Sequence, residues 1–303
     1  MFKKCLEKVM QSSSTEPDTA RLDGYIRKAW TKDPSVKPFS TQEEGGAPPT
    51  LRRDRKNRII YYIGSFNPPH QGHVALLDHI YQHSRDPSGF NAVAVLVMAH
   101  GESWRRRLLE DGLGDERRRW LWVLPRDVNA WWVFQTKLAD ACAEDGFALE
   151  FHELLGPDYV GVGKPHCHGW HGVVTSNICR AADFDVGGDH SLLKMAEFQP
   201  WEKEQRQKKD QGQGQERTKE EIRATAEEAE DDNEVWMCHK QVEGHDYSIR
   251  YIRAKQPTLD PDMSSTKMRN IIAASPPDAL AENLRGIALN PELLIQDMQE
   301  TAE

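Results

Sequence analysis

The sequence has few cysteines and no long apolar run, and each absence excludes a class of protein. The five cysteines are odd in number, scattered and without a CxxC pair, which fits a reducing compartment better than a disulfide framework. No stretch approaches the roughly 18 consecutive apolar residues that a membrane span needs, and the N-terminus lacks an apolar core of signal-peptide length. We therefore expect an intracellular protein, cytoplasmic or nuclear, with no membrane partner.

Positive charge is also in short supply. The chain has 39 Lys and Arg against 48 Asp and Glu, a formal net charge of -9. Because affinity for the phosphate backbone comes from excess Lys and Arg, this balance argues against a general nucleic-acid-binding protein. A local basic pocket for a small phosphate ligand stays compatible with it.

Composition divides the chain into an extension and one domain. Residues 1–56 are rich in Ser, Thr, Glu, Pro and Gly and end in a basic cluster, and we interpret them as a flexible N-terminal extension. Residues 57–303 form the predicted domain. Within it, the segment at about 202–233 is dense in Gln, Lys and Glu, which predicts a low-complexity charged insertion. A solvated single helix over residues 216–230 is the alternative.

Two continuous apolar runs bound the first predicted βαβ unit. Residues 58–64 and 92–98 suit buried strands of a parallel sheet, and residues 71–83 between them have helical spacing. The alternation of strands and helices predicts an open α/β sheet. Further helices are predicted over 115–124, 130–143 and 191–198, further strands over 147–154, 184–187, 234–238 and 247–253, and short helices from 266 onward.

The loop after the first predicted strand carries two histidines. It reads GSFNPPHQGH from Gly64 to His73, and such loops at the carboxyl end of a strand are where open α/β sheets bind ligands. Gly64 lets the backbone approach a phosphate, to which the amides of Ser65 and Phe66 can donate. Both His70 and His73 can donate a ring N–H to phosphate oxygens. A structural role would suit a lone histidine, but this pair indicates an anion site.

A second motif, MSSTKMR, lies near the end of the chain at residues 263–269. Ser264, Ser265 and Thr266 form a predicted N-cap and first helical turn that can hold phosphates, and Arg269 can reach the same phosphates from one turn along. A plain helix cap explains the Ser and Thr residues but not the rest of the pattern.

Together the two motifs resemble the signatures of the HxGH nucleotidylyltransferase superfamily, and most of all those of nicotinamide or nicotinate mononucleotide adenylyltransferases. The resemblance covers mainly residues 58–100 and 183–300. It implies an α/β fold with a Rossmann-like open parallel sheet and helices on both faces. It also implies an enzyme that transfers AMP from ATP, with Mg²⁺, to a phosphorylated small-molecule acceptor, using His70, His73 and Arg269 as catalytic residues.

A third element resembles the family's GxD, which lines the ribose and base of the nucleotide. It is DVGGD at residues 185–189, so Gly187 and Asp189 are predicted to bind the nucleotide, although a GxD is common by chance. The His- and Cys-containing segment 165–171 lacks a second ligand pair, so no protein-bound metal is predicted.

The acceptor contacts and the exact reaction stay open. The candidate acceptor contacts are the arginines at 105–107 and 117–119 and the residues Trp104, Trp131, Trp132 and Trp201. The commoner role of such arginines is on a solvated helix face, and the commoner role of tryptophan is core packing. Alternative functions are a pantetheine-phosphate adenylyltransferase, a cytidylyltransferase acting on a phospho-alcohol, or a nucleotide-binding protein without turnover. The oligomeric state is not predicted. If the interpretation holds, His73 and Arg269 share one cleft.

Overall fold

A computed structural model describes the chain over residues 18–30, 36–39, 48–101, 103–125, 130–163, 171–186, 191–204, 234–242, 244–254 and 263–302. In chain order the strands are β1 (Thr19–Arg21), β2 (Thr50–Arg52), β3 (Asn57–Gly64), β4 (Ala92–Ala99), β5 (Leu121–Val123), β6 (Leu149–Leu154), β7 (Gly172–Ser176), β8 (Glu202–Lys203), β9 (Glu234–Val242) and β10 (His245–Arg253). The helices are α1 (Leu22–Ala29), α2 (Gln71–Ser84), α3 (Ser103–Gly112), α4 (Gly114–Arg117), α5 (Trp131–Glu144), α6 (Ser265–Ala274), α7 (Leu280–Leu284) and α8 (Pro291–Ala302).

The central sheet has eight strands in the order β5-β4-β3-β6-β7-β10-β9-β8. Every pair from β5 to β10 is parallel, and β9 and β8 extend the sheet in antiparallel fashion. From β3 the chain goes first to β4 on one side and later to β6 on the other, so the strand order reverses between β3 and β6. Such a reversal opens a crevice at the carboxyl ends of the two strands. The predicted Rossmann-like, largely parallel sheet is confirmed.

Helices cover both faces of this sheet. Along β3, Ile60 packs with residues of α2 in one core, whereas Ile59 and Tyr61 pack with α1 and α5 in a second core. Because a strand covered on both faces buries successive side chains, its sequence is an unbroken apolar run. The prediction of helices on both faces is confirmed.

The C-terminal helices form a smaller core beside α3. Leu108 of α3 packs with Met268 of α6 and Leu284 of α7. The backbone N–H of Gln71, at the start of α2, donates to the carbonyl of Ile287 at 2.9 Å. The predicted short C-terminal helices are therefore present, and their packing fixes the start of α6 beside the start of α2.

Part of the predicted N-terminal extension belongs to the fold. Leu22, Ile26 and Trp30 recur at helical spacing and are buried in the second core, together with Leu51 of β2. The expectation of a flexible extension over residues 1–56 therefore does not hold for 18–30, 36–39 and 48–56. The helical apolar pattern of α1 is short and is surrounded by polar, Pro- and Gly-rich sequence, which hid it.

Four further expectations differ from the structure. Residues 121–123 form β5 rather than the end of a predicted helix over 115–124, because a three-residue strand is too short to show a period. Residues 191–198 are not helical. Of the strand expected over 184–187, the described residues 184–186 show only a bridge between Asp185 and Leu192. The first residues of the expected insertion form β8, and residues 205–233 lie outside the described ranges.

Within the described residues, no helix combines the length and the hydropathy needed to cross a bilayer.

Candidate active site

A cleft of about 570 Å³ lies at the carboxyl edge of the sheet, over the ends of β3 and β6. Its position is the crevice that the reversal of strand order creates. The residues that line it come from both sequence motifs and from the ends of β4, β6 and β7. They are Tyr62, Ile63, Gly64, Ser65, Phe66, His70, Gly72, His73, Leu76, His100, Glu153, Leu155, Gly156, Pro157, Asp158, Tyr159, Cys179, Arg180, Met263, Ser264, Ser265 and Thr266.

The loop that leaves β3 is held by a buried phenylalanine. The Phe66 ring would lie 3.0 Å from a Cβ added at Gly64, so only glycine fits there without a shift. Phe66 itself has a φ of 41°, a left-handed conformation that is uncommon for a bulky residue and clusters at functional sites. Within the described residues, the amides of Ser65 and Phe66 donate to no backbone carbonyl. Both amides are therefore free to receive an anion.

The two imidazoles lie face to face at the start of α2. Their ring centroids are 3.7 Å apart, and His70 is the N-cap residue of the helix. The backbone N–H of His70 donates to Nδ1 of His73 at 3.1 Å. Because Nδ1 of His73 accepts this bond, a neutral His73 carries its proton on Nε2. His73 is thus set up as a single N–H donor in the cleft.

Burial keeps both imidazoles uncharged at neutral pH. It lowers the pKa of His70 to about 4, with a smaller contribution from the charge of Arg180. Burial, followed by the neighbouring His70, brings the pKa of His73 well below its ordinary value. Neutral imidazoles can donate to an oxyanion, but they cannot supply a full positive charge to it.

The second motif meets the loop of the first in space. Ser265 Oγ donates to the carbonyl of Pro68 at 3.0 Å, and Arg269 Nη1 donates to the carbonyl of Asn67 at 2.7 Å. Arg269 Nη2 also donates to Thr266 Oγ1 at 2.9 Å. The two motifs, almost 200 residues apart in sequence, therefore close one side of the cleft together.

The start of α6 is aimed at the same space as the start of α2. Ser264 is the N-cap, and its hydroxyl accepts from the backbone N–H of Lys267 at 3.1 Å. The hydroxyls of the motif are thus engaged within the protein, and the amides of the first turn are left to face the cleft. Two helix N-termini with their positive dipole ends converge here, which suits a multiply charged anion.

The structure groups most of the predicted site residues but leaves the predicted GxD untested. Gly64, Ser65, Phe66, His70, His73, Ser264, Ser265 and Thr266 line the cleft, and Arg269 bonds to its loop. Gly187 and Asp189 lie outside the described residues. Their neighbour Asp185 is not part of the cleft, because its carboxylate forms a bidentate ion pair with Arg253 and accepts from the Tyr251 hydroxyl.

A different GxD lies in the cleft, and the sequence analysis missed it. Gly156-Pro157-Asp158 follows β6 after one residue, and an added Cβ at Gly156 would meet the Asp158 carboxylate at 2.6 Å. Asp158 is exposed and pairs with Arg180 at 2.7 Å, after β7. The signal was available, because the tripeptide comes one residue after the strand predicted over 147–154.

Most of the candidate acceptor contacts bond to, or pack in, other parts of the protein. Arg117 forms two bonds with Asp78, and Arg107 pairs with Asp297. From the two arginine runs, Arg105 bonds to the loop that leaves β3, by donating to the carbonyl of Ser65 at 3.3 Å. Of the four candidate tryptophans, none lines the cleft in the described structure, and Trp131 is fully buried.

Comparisons with known proteins give a structural similarity and nothing at the level of sequence. No family model matches the chain, and no curated protein matches it. Among solved structures, it is similar to a candidate nicotinate-nucleotide adenylyltransferase from Vibrio parahaemolyticus, at 15% identity and a TM-score of 0.25, over 34% of this chain and 62% of that one. It is also similar to the nicotinic acid mononucleotide adenylyltransferase of Plasmodium falciparum complexed with NaAD, at 9% identity and a TM-score of 0.40, over 79% and 95% of the respective chains. At such low identity, the function has to be inferred from the cleft itself.

Proposed function

We propose that the protein is an adenylyltransferase that transfers AMP from ATP to nicotinamide or nicotinate mononucleotide and releases pyrophosphate. The observation that carries the proposal is the meeting of the two motifs around one cleft. Ser265 and Arg269 bond to the loop that presents His70 and His73. Because the two motifs are so far apart in sequence, a shared anion site gives both of them a purpose that a helix cap alone does not.

The triphosphate would lie between the two helix starts. Free amides of Ser65 and Phe66 and the first turn of α6 offer backbone donors to its oxygens. The Arg269 guanidinium, already placed by Asn67 and Thr266, supplies the positive charge that the neutral imidazoles lack. We assign His70 and His73 to the α- and β-phosphates, and Ser264, Thr266 and Arg269 to the leaving pyrophosphate.

The reaction we propose is a direct in-line displacement. An oxygen of the acceptor's phosphate forms a bond to the α-phosphorus of ATP, and the bond from that phosphorus to the bridging oxygen of the β-phosphate breaks. Charge then grows on the non-bridging oxygens, where the His73 Nε2–H and the backbone amides can stabilise it. The protein supplies alignment and charge stabilisation, and no covalent enzyme intermediate is needed.

Magnesium belongs to this proposal as part of the ATP substrate. Among the described residues, no group of three or more His, Cys, Asp and Glu is placed to hold a metal ion. Mg²⁺ binds readily through substrate phosphates and water with few protein ligands, so the absence of a cage in the described ranges is compatible with Mg·ATP. The ion would neutralise charge on the triphosphate, and the chain's own donors would do the remaining positioning.

Asp158 is the residue that we assign to a ribose of the bound nucleotides. Its carboxylate is exposed at the cleft mouth beside Gly156, where a ribose hydroxyl can donate to it. The pairing with Arg180 fixes its orientation without burying it. We therefore give Gly156 and Asp158 the nucleotide-binding role that the sequence suggested for Gly187 and Asp189.

The test is an assay of pyrophosphate release with ATP or CTP against a set of phosphorylated acceptors. We expect turnover with ATP and a pyridine mononucleotide, and His73→Ala should reduce kcat by roughly 100-fold or more, as the loss of one oxyanion donor does. His245→Ala is the matched control, because His245 is exposed at the opposite, amino edge of β10. Turnover of His73→Ala within a few fold of wild type would contradict the assignment.

The alternative functions give different results in the same assay. Preference for CTP with a phospho-alcohol, or for ATP with pantetheine phosphate, would place the chain with another transferase of this type. Tight ATP binding without product from any acceptor would indicate a nucleotide-binding protein. We rank these lower because both motifs retain their polar groups and meet in one cleft.

A further inference from the structure

Glu153 is a carboxyl group of the cleft that neither motif contains. It is the penultimate residue of β6 and lies opposite Tyr61 of β3 in the strand pairing. Alternation along the strand places it on the same face as Phe151, which packs with α1 and α5. The two imidazoles instead begin the helix that covers the other face. Glu153 therefore lies on the side of the cleft away from the proposed triphosphate.

No described cation neutralises this carboxyl group. Within the described ranges, it accepts no hydrogen bond and forms no ion pair, and its oxygens open on the cleft. Burial alone raises the pKa of Glu153 to about 7. A half-buried acid that has no internal partner and faces a ligand cleft is typical of a binding group.

Buried polar groups without partners lie on the same face of the sheet as Glu153, in the core that α1 and α5 cover. The Tyr61 hydroxyl has no hydrogen-bond partner within the described residues, and neither has Nε1 of Trp131, whose ring centroid is 4.9 Å from that of Tyr61. The amide of Gln135, one turn along α5, is also buried and unpaired. Such groups are rare in folded proteins, and here they make the core on the Glu153 face of the sheet polar. None of these three residues lines the cleft, and none of them carries a positive charge.

We infer that Glu153 selects an acceptor whose pyridine ring carries a neutral carboxamide over one whose ring carries a carboxylate. The inference rests on the proposed function and narrows its substrate. An ionised Glu153 accepts a hydrogen bond from an amide N–H, and such charge-assisted bonds are the stronger kind. A ring carboxylate in the same position meets a like charge, unless Glu153 first takes up a proton.

The preference should depend on pH because Glu153 ionises near neutrality. On the paired strand β3, the group that faces Glu153 is the phenol of Tyr61, which keeps its proton in this range because burial raises its pKa. The residue opposite Glu153 on β7 is the apolar Val173. The remaining titratable or charged groups that line the cleft are Tyr62, His70, His73, His100, Asp158, Tyr159, Cys179 and Arg180. None of these shifts the pKa of Glu153.

The experiment compares nicotinamide and nicotinate mononucleotides as acceptors from pH 5.5 to pH 8.5. We expect the amide-over-acid ratio of kcat/KM to exceed roughly tenfold at pH 8 and to fall to a few fold at pH 5.5. In Glu153→Gln the ratio should stay within about threefold at every pH, because a glutamine amide can serve either acceptor. Glu144→Gln, an exposed change at the end of α5, is the matched control and should follow the wild type.

Binding calorimetry of each mononucleotide, with a non-hydrolysable ATP analogue present, separates this inference from the proposed function. Turnover with equal use of both acceptors, or a preference for the acid, overturns the role of Glu153 and leaves the proposed function standing. A pH-dependent preference for the amide in binding, without any turnover, supports Glu153 and overturns the proposed reaction. Failure of both mononucleotides to bind overturns both. Because the wild-type pH profile needs no variant, a misfolded Glu153→Gln does not affect the decision.

Discussion

Replacing Gly72 with alanine should separate activity from stability. Gly72 stands between the two histidines, and an added Cβ would lie 2.9 Å from Nδ1 and 3.0 Å from Cε1 of His70. Normal carbon–nitrogen contacts are about 3.5 Å, so the ring has to move by about half an ångström. His70 is buried, and the His73 ring lies 3.7 Å away, which limits where it can go. A displacement of about 1 Å in a catalytic group can cost about 100-fold.

We therefore expect Gly72→Ala to lower kcat/KM for ATP by roughly 10- to 100-fold. The free energy of unfolding should change by less than about 1 kcal/mol, because alanine is favoured over glycine in a helix and offsets the contact. Gly24→Ala in α1 is the matched control, since its added Cβ meets nothing within 4 Å. That variant should gain about 0.5 kcal/mol in urea unfolding and keep full activity. Wild-type rates in a folded Gly72→Ala would refute the placement of His70 at the reacting phosphates.

Two further predictions concern the arginine of the second motif and the acid of the acceptor side. Arg269→Lys should lose roughly 10- to 100-fold in kcat/KM for ATP, because an ammonium group cannot bridge Asn67 and Thr266 as the guanidinium does. The matched control is Arg285→Lys, because Arg285 is exposed and forms an i,i+3 ion pair with Glu282. Equal losses of activity in both variants in the pyrophosphate assay would count against the role of Arg269. Glu153→Gln should raise the free energy of unfolding by about 1–3 kcal/mol at pH 8 and leave it nearly unchanged at pH 4.5, as measured by urea denaturation at both pH values. The sign follows from a folded pKa of about 7 against an ordinary 4.5, so the wild type loses stability as the pH rises through this window. A stabilisation that did not vary with pH would show that Glu153 has the same pKa in the folded and unfolded protein, so that burial does not raise it.

The motif-bearing parts of the fold were predictable because each has a strong local signal. β3 and β4 are long, continuous apolar runs, and the helix between them has apolar side chains at helical spacing. Both motifs contain enough polar residues at fixed spacing to predict an anion site before any contact is known. Their convergence was a prediction from the resemblance of both motifs to the signatures of one family, and the bonds of Ser265 and Arg269 to the loop supply the contacts.

The parts that could not be predicted depend on tertiary contacts. β5 and β7 have three and five residues, too few to show a period, and they are strands because longer neighbours pair with them. The choice between the two GxD elements depends on which strand lies beside β3, and strand order is not written in local sequence. Glu153 belongs to no motif. It stands out only in the folded structure, where it is half-buried beside the reversal of strand order and has no hydrogen-bond partner among the described residues.

The hydrogen bond from the backbone N–H of Glu204 to the carbonyl of Val235, at 2.8 Å, has a practical consequence. The chain leaves the sheet after β8 and returns to it in β9, and this bond shows that the two points are neighbours. Both strands lie at the edge of the sheet, several strands away from β3. Loop-closure free energy rises only slowly with length, by about 0.6 kcal/mol per doubling. Shortening the segment between these two residues, or carrying a fluorescent reporter there, should therefore leave nucleotide binding intact. This segment therefore offers a position for labelling the protein away from the candidate site.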